Sequence, residues 1–185
     1  MLRSVDDALR EMVSTIEGRG QLDRTVIVFL TDNGYVFGLH RLEGKRFPYT
    51  PSVGLPFAIR TPWAPGATVD DLVSNLDLAG TIASLAGVAP GRPQDGLDLS
   101  PALHGEPVPS RDGVYLDWVG DSLVPPWEGV RTPDSLYVRN ADGTEELYGA
   151  DDELQLHNLA ADPADAAMLR RARAILATLS AQAHG

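Results

Sequence analysis

An apolar run over residues 26–30, VIVFL, stops at Thr31-Asp32-Asn33-Gly34, which leaves a carboxylate and an amide oxygen side by side at its end. Adjacent hard oxygens of this kind suit a divalent cation that takes oxygen ligands. Asp-Asn-Gly is equally a turn or helix-cap sequence, because Asp and Asn side chains bond to their own backbone and Gly tolerates positive φ. His40 and Lys45 follow in a polar loop. Taken alone, Lys45 reads as a solvated lysine and His40 as a packing or surface histidine. The combination of the four is more specific than any of them alone.

The elements that must position these residues are legible from periodicity. Residues 25–30 and 57–60 read as short strands, apolar without alternation. That pattern belongs to strands covered on both faces, as in a parallel sheet, and open α/β sheets place ligand sites at the carboxyl ends of such strands. Residues 5–16 form a helical stripe through Val5, Ala8, Leu9, Met12 and Ile16, preceded by Ser4 and closed by Gly18 and Gly20. A second helix is expected within residues 70–88, striped by Leu78, Ile82, Leu85 and Ala86, capped by Ser74 or Asp77 and closed by Gly87. Residues 89–109, rich in Pro and Gly, read as loop. The last third changes character. Strand-like runs at 114–118, 129–132, 135–139 and 145–148 surround a turn signal at 140–143. Asp162-Pro163 then opens a final helix with Met168, Ala172, Ile175 and Leu179 on its inner stripe. Two strands of the parallel type are too few to satisfy both edges of each, so either the chain folds with another chain or it is a piece of a larger domain.

Bulk composition narrows the classes. Hydrophobic residues at 43% and charged residues at 22% are globular values. Fifteen basic against 26 acidic side chains give a net charge of −11, which disfavours a nucleic-acid or anionic-membrane partner, since phosphates reward clustered Lys and Arg. A local site can still be positive on an acidic protein. With no cysteine there is no disulfide and no thiol nucleophile. No apolar stretch approaches the roughly 20 residues that span a bilayer, and residues 1–13 lack the apolar region of a secretory signal, so a cytoplasmic location is expected.

The combination of motifs resembles the sulfatase family of the alkaline-phosphatase-like superfamily. Thr31-Asp32-Asn33-Gly34 after a strand, Gly38-Leu39-His40, Gly44-Lys45 and a Pro56-led strand occur in that family's order. Asn75-Leu76-Asp77-Leu78-Ala79-Gly80-Thr81, Asp95-Gly96, Val130-Arg131-Thr132, Glu146-Leu147-Tyr148 and Gln155-Leu156-His157-Asn158-Leu159 extend the resemblance over nearly the whole chain. The resemblance implies an α/β fold: residues 1–110 as the C-terminal part of an alkaline-phosphatase-like sheet, and residues 111–185 as a small antiparallel sheet subdomain with a terminal helix. It implies Asp32 and Asn33 as ligands of a divalent cation, most often calcium, and Lys45 as a contact to the sulfate of a sulfate ester substrate. His40 stands where many members have Gly-Glu-His and is a second candidate for substrate binding.

Two parts of the family pattern are not among these residues. One is the early strand whose Asp pair supplies the other metal ligands. The other is the Cys or Ser of the Cys-x-Pro-x-Arg motif, oxidised to formylglycine in the family. Ser100-Pro101 and Ser122-Leu123-Val124-Pro125 do not fit that motif. No catalytic nucleophile is assigned, and the covalent step needs one. The expectation is a sulfatase-like chain that is inactive alone, a fragment or split portion completed by an N-terminal half. The alternatives are a phosphodiesterase or phosphonate hydrolase of the same superfamily, and a non-catalytic binding protein.

Overall fold

In the computed structural model, which describes residues 2–64 and 66–184, the two apolar runs pair with each other. Strand β1 (Ile27–Leu30) lies antiparallel to β4 (Phe57–Arg60), in register from Ile27 opposite Arg60 to Leu30 opposite Phe57. This corrects the parallel arrangement expected above. An uninterrupted apolar run reports that a strand is to be covered, and carries no information about the direction of its neighbour. Neither strand has a fully buried residue, and Phe29 is 38% exposed. The segment between them holds a two-residue ladder, β2 (Val36–Phe37) with β3 (Glu43–Gly44), and one helical turn, α2 (Thr50–Val53).

The N-terminal helix α1 spans Leu2–Gly18, so Ser4 lies inside it rather than at its cap. Its apolar stripe is present, yet none of its residues is buried. Helix α3 spans Asp77–Leu85, within the expected 70–88, and starts at one of the two residues offered as its cap. The fully buried Asp77 carboxylate accepts the N–H groups of Ser74 (2.7 Å) and Leu97 (2.8 Å) and pairs with Arg111 at 2.5 Å. Gly96 is required beside them, because a Cβ there would stand 2.0 Å from the Leu76 carbonyl oxygen.

The last third is an antiparallel meander, β5 (Val114–Trp118), β6 (Trp127–Arg131), β7 (Ser135–Asn140) and β8 (Glu145–Gly149), in sequence order across the sheet. The turn at 140–143 closes β7 onto β8, with Gly143 at φ +83°. A short 3₁₀ turn, Pro163–Asp165, is capped by the Asp162 carboxylate and leads into α4 (Ala166–His184). One sheet face packs Val130, Tyr137 and Leu147 against Leu169, Ala172 and Leu176 of α4. Of the expected stripe only Ala172 is fully buried. Met168, Ile175 and Leu179 flank it, so the buried line runs one position further along the helix. The opposite face packs Trp127, Leu136, Val138 and Tyr148 against Tyr49 of the N-terminal segment.

Helix α4 is also tied to the sheet by charge. Arg173 pairs with Glu145, which accepts a hydrogen bond from the Tyr137 hydroxyl as well. The Arg173 bond, then the Tyr137 bond, hold the Glu145 carboxyl below its usual range. Burial, then the Glu145 bond, push the Tyr137 phenol up to about 12.

Two expectations follow from these carboxylates. Asp77→Ala leaves Arg111 without its partner in a buried site and should destabilise the chain by about 3–5 kcal/mol in urea unfolding. Glu145 has a lowered folded-state pKa, so its contribution is full above the unfolded value of about 4.3 and is lost as pH falls through the folded value. Glu145→Gln should therefore flatten the acid side of the stability–pH curve below about pH 5, read from thermal melts across pH.

Candidate functional site

The end of β1 is locked by short-range bonds. The Thr31 hydroxyl donates to the Asn33 carbonyl (2.9 Å), and the Asn33 side-chain amide donates to the Gly34 carbonyl (2.9 Å). The Gly34 N–H donates to the Ser52 carbonyl at 2.8 Å, which draws α2 against the strand end. Only glycine allows that approach: a Cβ on residue 34 would stand 2.1 Å from the Pro51 carbonyl oxygen. From the far side of the loop the Lys45 ammonium, just after β3, donates to Asn33 Oδ1 at 2.9 Å.

Asp32, Asn33 and Lys45 line one cleft of about 190 Å³. Its opposite wall comes from the C-terminal sheet, through Asp117 of β5 and Trp127 of β6. The cleft thus lies at the meeting of the β1–β4 pair and the four-stranded sheet. His40 does not line it. Its Nε2 lies 3.1 Å from the Leu154 carbonyl and its ring stacks on Tyr49 with centroids 4.0 Å apart. His40 and Arg41 adopt positive φ, +53° and +60°, a strained turn that aims the imidazole at the 152–156 loop. His40 is thus set apart from Lys45 in this structure.

Ser52, Asn75, Asp117 and Trp127 line the cleft without having been singled out as site residues from sequence. Ser52 is 3% exposed and its hydroxyl has no partner among the described residues. Asn75 opens the Asn-Leu-Asp motif, which was a signal available in the sequence. Asp117 and Trp127 carry no local signal, since only tertiary packing brings them there.

Lys45 differs in kind and in pairing from the arginines that hold the fold together. It is the one lysine in the chain, against fourteen arginines. Six of those arginines, among them Arg46, Arg111, Arg139 and Arg173, form ion pairs with carboxylates. Among the described residues Lys45 bonds to a neutral amide instead, so its charge is left uncompensated. For a divalent cation the donor set is partial. Asp32 and Asn33 offer two side chains with three hard oxygens, of which Asn33 Oδ1 is shared with Lys45, and no group of three or more His, Cys, Asp or Glu among the described residues could hold a metal. Calcium takes about 6–8 oxygens, so these residues alone do not make a complete site.

Comparison with known proteins supplies the family. Residues 38–182 match the family model described as N-sulphoglucosamine sulphohydrolase, C-terminal. The chain is 30% identical over 168 residues to the N-acetylglucosamine-6-O-sulfatase of Bacteroides thetaiotaomicron, covering 86% of this chain and 29% of that protein. A protein solved in complex with its substrate D-glucosamine-2-N,6-O-disulfate superposes with a TM-score of 0.87 at 26% identity, over 98% of this chain and 39% of the other. The phosphonate monoester hydrolase of Agrobacterium radiobacter superposes with a TM-score of 0.86 at 27% identity, over 98% and 40%. The chain belongs to the sulfatase family, as its C-terminal portion. Its fold is the C-terminal part of an alkaline-phosphatase-like α/β protein, with the small antiparallel sheet and terminal helix described above. The family implies a divalent metal cation. The chain spans about three-tenths of the curated sulfatase and about two-fifths of the two solved structures. No helix among the described residues is long and apolar enough to cross a membrane.

The Gly34 contact gives a direct test of how the cleft is built. Gly34→Ala should push α2 off the strand end, lower stability by at least about 1–3 kcal/mol as an overpacked contact does, and broaden or shift the Lys45 side-chain resonance. A neutral effect on both would show that the close approach does not position the cleft.

Proposed function

We propose that Asp32, Asn33 and Lys45 form one side of a sulfate-ester site in a protein whose reaction is hydrolysis of a sulfuric ester. The observation that carries the reading is the Lys45–Asn33 bond of 2.9 Å, which puts the one lysine of the chain beside the oxygens at the end of β1. In this reading Lys45 meets the sulfuryl oxygens with an uncompensated charge, the electrostatic stabilisation that dominates transfers of this kind. Asp32 and Asn33 are two of the side chains that hold the cation, and calcium is among the ions that hard-oxygen donors suit. The nucleophile and the remaining oxygens come from an N-terminal α/β portion outside these 185 residues. Residues 1–110 complete the sheet of that portion, and residues 111–185 stand on it as a subdomain. The 30% identity to a sulfatase and the match to the sulphohydrolase model support this.

A second reading has one observation in its favour, the likeness to a phosphonate monoester hydrolase. A phosphonate ester presents a tetrahedral oxyanion of similar shape to the same Lys45, and the residue that serves as nucleophile would separate the two.

The test is an assay of the 185-residue chain with an aryl sulfate ester and an aryl phosphonate ester in excess calcium, beside size-exclusion and melting. No turnover of either is expected. Turnover abolished by Lys45→Ala would overturn the division of the active site between this chain and further residues. A sharp monomeric melt without turnover would favour a non-catalytic binding protein.

A further inference from the structure

Lys45 is exposed, follows a glycine at φ +128° and makes a single side-chain bond. A long, flexible stem of this kind is fixed in place only if its backbone is. The two-residue ladder ends at Gly44, so the next residue must supply the anchor. Arg46 is held from two sides, both belonging to the C-terminal third. Its guanidinium pairs with Asp121 at 2.9 Å, and its carbonyl accepts the indole N–H of Trp127 at 2.8 Å across 81 residues of sequence. The two anchors differ in kind. The ion pair has both partners about one-third exposed, so it is screened and weak. The indole bond comes from a ring that is 8% exposed and packed with Leu136, Val138 and Tyr148, so the donor cannot swing away. The same ring lines the cleft together with Asn33.

We propose that Trp127 is a positioning residue for Lys45: its indole N–H fixes the Arg46 carbonyl and so sets the reach of the neighbouring ammonium into the cleft. The functional meaning rests on Lys45 being the oxyanion contact proposed above, whereas the positioning itself does not. A strand of the C-terminal sheet then decides how an anion is met at a site whose other residues lie near the end of β1.

Because Lys45 is the one lysine, the full chain labelled with 13Cε-lysine gives a single side-chain signal to follow. In the parent chain its two ε-protons should be inequivalent, and titration with inorganic sulfate at constant ionic strength should shift the signal. Trp127→Phe should collapse the inequivalence and weaken sulfate binding about three- to tenfold, the size of effect that one shielded hydrogen bond has. Trp63→Phe is the control. Trp63 stacks on His104, outside the cluster around Trp127, and its replacement should change neither readout. If Trp127→Phe perturbs the sheet, benzothienylalanine at 127, in a chain whose other two tryptophans are Phe, keeps the bicyclic shape and deletes only the N–H. An unchanged Lys45 signal in these Trp127 variants overturns the proposal. A parent signal that ignores sulfate overturns the oxyanion reading, while the ε-protons still report on the positioning.

Discussion

Everything on the N-terminal side of the cleft depends on a seam of hydrogen bonds between residues 46–50 and the C-terminal sheet. At its centre is the Glu146 carboxylate. It accepts the hydroxyls of Tyr49 (3.0 Å) and Tyr148 (2.7 Å) on one oxygen and the Asn140 amide (2.9 Å) on the other. No cation neutralises it among the described residues, so three donors carry the whole stabilisation of a half-buried charge. Bonds to an ionised acceptor are the strong ones. Burial first, and then Glu146, push both tyrosine hydroxyls well above the usual phenol range, which keeps them protonated as donors. Gln155, 1% exposed, extends the seam by accepting the Thr50 N–H (3.0 Å) and donating to its hydroxyl (2.6 Å).

The seam matters because the two halves differ in what they can bury. The C-terminal sheet has α4 on one face and a cluster around Trp127 on the other, and both clusters contain residues of zero exposure. The β1–β4 pair has no such core, and α1 has no buried residue at all. A two-stranded pair is marginal in water unless something packs against it. The geometry of the cleft is therefore borrowed from the C-terminal unit, through Trp127, Glu146 and Gln155. The apolar stripe of α1 and the outer edges of β1 and β4 stay uncovered among the described residues. The solved relatives contain more than twice as much chain.

How much of this was legible in the sequence follows from the range of each interaction. The meander, its turn at 140–143, the capped terminal helix and the Asp32–Asn33 pair at a strand end all arise from local patterns, and the sequence carried them. The pairing direction of β1 and β4 was not legible, because a four-residue apolar run has the same appearance in either orientation. Helix α3 was legible within 70–88, but the burial of Asp77 was not, because its carboxylate's partners Leu97 and Arg111 lie 20 and 34 residues away. The direction of His40 was not legible for a similar reason. Motif order put it beside Lys45, while the positive φ at residues 40 and 41 turns it towards Leu154. Asp117 and Trp127 were invisible as site residues, since nothing local to β5 or β6 marks them as facing a loop that lies about 80 residues earlier.

The division of labour between lysine and arginine is the last constraint. On a chain of net charge −11, any general field repels an anion. Recognition must then come from a charge that is near, fixed and not already spent on a carboxylate. Arginine suits the opposite role: its planar fork matches a carboxylate, and in this protein it is used for that in Arg111–Asp77, Arg139–Glu128 and Arg173–Glu145. Lysine is a compact point charge with three donors. With one of them given to Asn33 Oδ1, two remain, which in the proposed site would meet the oxyanion. An arginine at 45 would find the carboxylates of Asp32 and Asp117 lining the same cleft, and a bidentate pair with either would cancel the charge the site needs. Holding a lysine there by its backbone, with a neutral amide as its partner, keeps that charge available.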